Sequence, residues 1–419
     1  MSGAAAMDGR PGGGAAAAHS LGWLVAANAV GVWMAVLLVW PGAGDAFAPL
    51  TYGRWAPVHL NGQLYGWCAL PLVGALLAWF LDPRHPRAER HAAIALGAWS
   101  LALQLGAVSW LGGTASGKPF VDWHGWARPL LPAAMHVLWA FLAAHTWWRR
   151  RRLGRAGLAA RIAVLALLLL VPSLLHWASD RTVYPAVNPD SGGATGTALL
   201  GSTLALVGIY LALPGMLGLA PRPGTRRVAP VLGAWLASWA VFALAGKGDV
   251  SHHAPGQIAA LGALLLWIPL LPWAWAGWGW PAGARVWLRA ATCWWVLLVT
   301  SGWLTFLPGW SERFKFTHVL VGHSHLAMAG FVASVNGALL VVLTGRAAGA
   351  GVFRAWQTGT LAFVALMFAL GIIEHADPAG FLGGDGLTPV LLALRLGAGI
   401  VLAAASVRWW RQTCAGGAR

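Results

Sequence analysis

The sequence predicts an all-α protein whose helices cross a membrane about twelve times and pack in one bundle. Three observations predict it. The chain of 419 residues is 58% hydrophobic and only 10% charged, where a soluble domain carries about 25% charged residues. Twelve apolar runs are each long enough to span the ~30 Å of bilayer hydrocarbon. The basic residues sit in short loops between these runs and favour alternate loops.

The runs are read at 20–41, 57–81, 92–112, 128–148, 158–178, 193–220, 229–253, 255–277, 285–307, 315–344, 353–375 and 388–411. Residues 1–19 are rich in Gly and Ala and are expected to form a disordered tail. They lack the charged start, apolar core and cleavage site of a signal peptide. Residues 20–412 are read as a single transmembrane domain and 413–419 as a short C-terminal tail. With the N-terminus inside, 20 of the 28 Lys and Arg fall on the inner side and 7 on the outer side, and Arg395 lies within the last helix. That bias places both termini in the cytoplasm, and the expected location is a bacterial inner membrane.

Composition also excludes some functions. The formal charge of +16 could suggest nucleic acid, but no stretch resembles a nucleic-acid module. The Arg149–Arg152 run is expected to anchor topology and meet anionic lipid. Many of the 29 Trp lie near the ends of apolar runs, as interfacial anchors do. Cys68, Cys293 and Cys414 are far apart and form no CxxC pair. A disulfide framework, a zinc ribbon and a covalent c-type haem site are therefore unsupported.

The histidines carry the chemistry. Residues 316–330, FTHVLVGHSHLAMAG, place His318, His323 and His325 in one apolar run. At about 100° per residue, His323 and His325 point to nearly opposite faces, so one helix can serve two sites. Ionisable side chains inside a span are costly and usually functional. His59 falls at the outer end of the second run, and His252 and His253 at the outer end of the seventh. His323 and His325 lie roughly 10 Å deep from the same side. His176 and His375 also fall at outer ends and have no assigned role. His85, His91, His136 and His145 lie toward the inner side and read as interfacial or packing residues. A low-spin haem needs two axial imidazoles, a reactive haem one imidazole and an open face, and a copper opposite it several more.

HLNGQLYGW, SHHAPGQ and GHSHLAMAGF, in that order along the chain, resemble the catalytic subunit I of haem-copper oxidases. The resemblance is nearest to the C-family cytochrome oxidases, with the nitric oxide reductases related, and it covers nearly the whole chain. It implies that His59 and His325 are the axial pair of a low-spin haem and that His323 is the proximal ligand of a high-spin haem. It further implies that His252 and His253 are two of three copper ligands, so that His323, His252 and His253 form the catalytic site. The implied cofactors are two b-type haems, with copper or another metal at the binuclear site. The implied partners are other oxidase-complex subunits, membrane lipid, and a haem c-carrying or other electron donor on the outer side.

Two departures bear on the substrate. The family's third copper histidine belongs to the sixth helix, where NPDSGGATGTALLGS has none. Asp190 is the ligating side chain near that position, with capping of the helix as its structural role. The family's tyrosine before the His-His pair aligns with Phe242, which has no proton to donate. The first reading is a respiratory terminal oxidase acting on O₂. Both departures favour nitric oxide reduction as the alternative, since joining two NO molecules takes two electrons rather than four. A non-catalytic di-haem electron-transfer or sensor protein is the reading from another class, and a histidine-lined transporter stands last. His318 is expected to meet a haem propionate or a loop.

Overall fold

This computed structural model describes residues 10–224 and 227–414, and among them there are helices and no strand. Ten helices are long and apolar enough to cross a membrane. Two expected spans are not among the ten. Val228–Leu244 has 17 residues, and Ala282–Leu304 carries Arg285 and Arg289 in its first turns.

Helix boundaries correct three expectations. The first helix starts at Gly13, seven residues inside the expected tail, while residues 1–9 lie outside the described residues. Its small residues allow close approach: Ala16 and Ala17 are buried, and a Cβ on Gly13 would fall 2.5 Å from the Leu343 carbonyl oxygen. The Gly12 N–H donates to the Glu89 carboxylate. The seventh run ends as helix at Leu244, so His252 and His253 belong to a loop and not to a helix end. Lys247 Nζ stops that helix by donating to the carbonyls of Phe242, Ala243 and Ala245. At the C-terminus the helix Thr388–Cys414 takes up the start of the expected tail, and residues 415–419 lie outside the described residues.

The chain divides into two compact units. The first comprises Met1–Tyr184, Leu339–Trp356 and Gly399–Arg419. Its helices include Gly13–Val39, Tyr52–Phe80, Ala88–Leu111, Leu130–Arg149 and Arg155–Ala178. Leu70, Leu77, Phe80, Leu96, Trp110 and Trp123 belong to its buried apolar centre. The arginine run caps helix ends as well as biasing topology. Arg149 Nη1 donates to the carbonyls of Trp79, Phe80 and Leu81, which have no partner further along their own helix. Arg152 pairs with Asp82 at 2.9 Å. At the other end, Arg128 pairs with Asp180 at 2.8 Å, and Lys118 Nζ donates to the carbonyls of Ala178, Asp180 and Val183.

Asp122 is buried in the first unit. Asn61 Nδ2 donates to its Oδ2 at 3.0 Å, and Trp110 Nε1 donates to its backbone carbonyl at 3.0 Å. Burial pushes its carboxyl up to about 6, against the opposing pull of the Asn61 hydrogen bond. A carboxyl with a raised folded-state pKa holds its proton more tightly when folded. Its stabilising contribution is therefore full below about pH 4 and is lost as pH rises through about 6. Asp122→Asn is expected to flatten this fall in thermal melts across that window, and an unchanged slope would count against it.

The second unit comprises Pro185–Ala338 and Gln357–Ala398. It holds the helices Gly196–Met216, Val228–Leu244, Pro255–Ala276 and Ala282–Leu304, and the first part of His318–Thr344. Tryptophans tie its helices together. Trp267 Nε1 donates to Ser238 Oγ at 3.1 Å, Trp275 Nε1 to the Tyr210 carbonyl at 3.1 Å, and Trp295 Nε1 to the Trp267 carbonyl at 2.7 Å. Trp67, Trp110, Trp123, Trp267, Trp287, Trp356 and Trp409 are fully buried, so many tryptophans are core residues rather than interfacial anchors. Between membrane helices lipid tails remove the hydrophobic drive, and such packing and hydrogen bonds hold helices together, at about 0.6–2 kcal/mol per bond.

Candidate functional site

His323 opens into a cavity of about 300 Å³ in the second unit. Besides the helix that carries His323, four segments form its walls. Gly196–Met216 supplies Thr203, Val207 and Tyr210, and Ala282–Leu304 supplies Trp295, Val299 and Trp303. Leu261 and Leu264 close one side, and Phe314 and Lys315 lie just before the His318 helix. The His323 ring edge packs on Gly302, where a Cβ would fall 3.1 Å from its Cε1. Ser301 Oγ donates to the Leu298 carbonyl at 3.3 Å and accepts from His323 Nδ1 at 3.1 Å. That hydrogen bond leaves Nε2 with the ring lone pair. Burial holds the Lys315 ammonium below its ordinary pKa.

Tyr210 was not singled out by the sequence, where its one signal is a phenol inside an apolar run. It is buried, lines the His323 cavity, and meets Phe331 edge to face at 5.3 Å. Phe242, aligned with the family tyrosine, does not line this cavity. Its ring meets Trp239 at 5.2 Å, and it covers Gly201, where a Cβ would fall 2.6 Å from it.

His252 and His253 form a second centre with two carboxylates. One nitrogen or oxygen from each of Asp190, His252 and His253 lies within 4.8 Å of the others. Glu312 Oε1 lies 2.8 Å from His252 Nε2 and 2.9 Å from His253 Nε2. His252 is fully buried, and its Nδ1 faces Asn188 Oδ1 at 3.1 Å and Asp190 Oδ2 at 3.3 Å. Asp190 thus stands behind His252, where a carboxylate orients the imidazole. It does not cap the following helix, because Thr195 is the N-cap and its side chain accepts from the Ala198 N–H. Glu312 had no signal in sequence, lying 60 residues from His252. With Nδ1–H donated to Asn188 or Asp190, His252 Nε2 presents a lone pair to Glu312 Oε1. Two lone pairs at 2.8 Å call for a positive charge between them, either a proton or a metal ion. Neither His252 nor His253 is among the described residues lining the His323 cavity; Phe306 lines it, with its ring centre 6.1 Å from that of His252.

The remaining two candidate ligands are described each within its own unit. In the first unit, His59 Nδ1 donates to the Ala27 carbonyl at 2.8 Å, and the ring rests on Gly31, where a Cβ would fall 2.7 Å away. In the second, His325 Nδ1 donates to the Val321 carbonyl at 2.8 Å, and its ring meets Phe363 at 4.6 Å. A π-helical turn follows each: Gly62–Cys68 just beyond His59, and Leu326–Val332 directly after His325. Such turns recur at functional sites because the widened coil re-aims side chains.

His85, His91 and His145 were expected to be interfacial or packing residues. The structure gathers them, with ligand atoms within 4.8 Å of one another. Their hydrogen bonds run the other way. His145 Nδ1 accepts from the Asp82 N–H at 3.1 Å, and His85 Nδ1 accepts from the Arg87 N–H at 3.2 Å. A backbone N–H only donates, so each neutral ring carries its proton on Nε2. The His145 Nε2–H then donates to His91 Nδ1 at 3.0 Å. Metal-bound imidazoles show the opposite polarity, donating their outer N–H to an acceptor. This group is a hydrogen-bonded clasp joining residues 81–91 to the helix Leu130–Arg149.

The other histidines take local roles. The His318 backbone N–H and Nδ1 both meet Glu374 Oε2, at 2.7 and 2.9 Å. The His176 carbonyl receives Arg128, and His375 meets the Phe314 ring at 5.5 Å. The His136 Nδ1 donates to the Pro132 carbonyl at 2.8 Å. Comparison of the chain with models of known protein families and with the curated proteins finds no match.

Proposed function

We propose that this chain is a haem-binding catalytic subunit of a respiratory membrane reductase, of the haem-copper oxidase subunit I type. The observation that carries the reading is the hydrogen-bond polarity of four histidines. His59, His323, His325 and His252 each direct Nδ1 at an oxygen acceptor, which leaves Nε2 to ligate. His325, like His136, shows this pattern as an ordinary helical bond to the residue four back, and His318 shows it toward Glu374. His59, His323 and His252 reach acceptors on other segments, and His59 and His323 each rest on a glycine.

On this reading His323 would hold a high-spin haem in the apolar cavity, and His59 and His325 would hold a low-spin haem. His252, His253 and Glu312 hold a metal ion, with Asp190 orienting His252. Haem and metal supply the electron storage and the open coordination position that reduction of a diatomic gas requires. The protein's part is to fix the imidazoles, to keep the cavity apolar, and to carry Tyr210, Thr203 and Lys315 on its wall as polar groups. The electron donor is a haem c-carrying or other redox partner on the outer side, and further subunits complete the complex in a bacterial inner membrane.

O₂ is the first substrate on the family pattern. Nitric oxide is the second reading, and the outer centre favours it. A two-histidine, one-carboxylate set suits non-haem iron better than copper, and Phe242 supplies no phenol at the aligned position. Haem and metal quantification on the purified complex, followed by O₂ and NO consumption on the same sample, tests the reading. About two haems per chain with copper and O₂ turnover selects the oxidase. Iron at the outer centre with NO turnover alone selects the reductase. Haem without either activity selects an electron conduit or sensor. A well-folded sample without haem sinks all three.

A further inference from the structure

Lys315 lines the His323 cavity yet has no electrostatic match there. Its stem lies over Gly193, where any Cβ would overlap it. The chain reaches it through a turn in which Phe316 adopts a left-handed φ of 65°, a costly backbone for a bulky residue. Around it the cavity wall is apolar, with Phe306, Phe314 and Val319. Among the described residues no carboxylate or other acceptor bonds its ammonium. Glu312, three residues earlier, is taken up by His252, His253 and the Gly309 N–H. Burying a charge is costly unless it is paired. Nothing in the wall supplies the anion, so the cavity's occupant is the natural source.

We propose that Lys315 is the anion-binding residue of this cavity, pairing with a carboxylate on the edge of the group that His323 ligates. The assignment rests on the haem reading above, under which that carboxylate is a haem propionate. It requires an occupant with three features together: a flat apolar body, a centre that takes one imidazole, and an acidic edge.

The test uses the full-length protein in detergent. Haem loss to an excess of a haem-scavenging apoprotein is timed for the wild type, Lys315→Met and Lys315→Arg. Lys315→Met is expected to lose the high-spin haem roughly tenfold faster or more, the loss of one charge-assisted hydrogen bond. Lys315→Arg is expected to stay near the wild-type rate. The low-spin spectrum should be unchanged in both, which shows that the fold survives. Haem dimethyl ester, whose propionates are blocked, should bind the wild type no better than it binds Lys315→Met. Equal loss rates for wild type and Lys315→Met, or equal binding of haem and its ester by the wild type, would overturn the assignment. A wild type without high-spin haem would overturn the reading of the cavity itself, and the assignment with it.

Discussion

His323→Ala is expected to leave the purified protein with about half the haem of the wild type, and with no turnover of O₂ or NO. The missing half should be the high-spin component, while the low-spin spectrum persists. The expectation follows from the geometry around one ring. His323 is the histidine on the wall of the cavity, Ser301 fixes its Nδ1, and Gly302 gives its edge room. Alanine removes the Nε2 ligand and adds only empty apolar space, so the fold should tolerate it. His59→Ala and His325→Ala should do the reverse and remove the low-spin signal. Optical spectra of the reduced proteins, with pyridine haemochrome quantification, separate the cases. If His323→Ala erased only the low-spin signal, the two faces of the helix His318–His325 would have to be exchanged.

Glu312→Gln is expected to lower metal affinity at the His252–His253 centre at least tenfold, and to remove turnover while both haems stay bound. Asp190→Asn should lower affinity roughly 10–100-fold, the usual loss when the partner that orients a ligand is changed. The two differ in mechanism. Glu312 Oε1 faces Nε2 of both histidines, so its charge is needed at the ion itself. Asp190 faces Nδ1 of His252 and acts through that ring. Metal binding displaces protons from imidazole, so affinity should fall as pH falls. Metal titrations of the metal-stripped protein, with competing chelators at two pH values, measure both effects. Wild-type affinity in Glu312→Gln would mean that this carboxylate neutralises an imidazolium and holds no metal.

Much of this site is legible in sequence, though unevenly. The histidines announce themselves, because an imidazole in an apolar run has few ordinary uses. SHHAPGQ and GHSHLAMAGF supplied candidate ligands, and the element of the first was misjudged: His252 and His253 belong to a loop that follows the Lys247 cap, not to a helix end. Glu312 was read as one outer acid among several, and no local pattern ties it to residues 60 positions away. His85, His91 and His145 read as interfacial or packing residues, since a loop and two helices must meet before they become a cluster. The glycine- and alanine-rich start looked disordered because small residues carry little hydropathy. Their value is close approach, visible only once Gly13 has Leu343 to lie against.

What the sequence determined by itself is therefore the class of environment. Transfer into a bilayer is summed residue by residue, so composition and run length are enough to reach a helical membrane protein. Among the described residues ten helices meet that length and composition, and runs such as 229–253 stop short as helix. The tertiary structure alone decided which way the hydrogen bonds of each imidazole run. Fourteen histidines are chemically alike in the sequence. The direction of a hydrogen bond at Nδ1 sets where the proton sits, and that direction depends on whether a carbonyl or an N–H from another segment faces the ring. His59 and His323 face oxygen, and His145 faces an N–H. Folding sets that difference, because it fixes which distant backbone atom each ring meets.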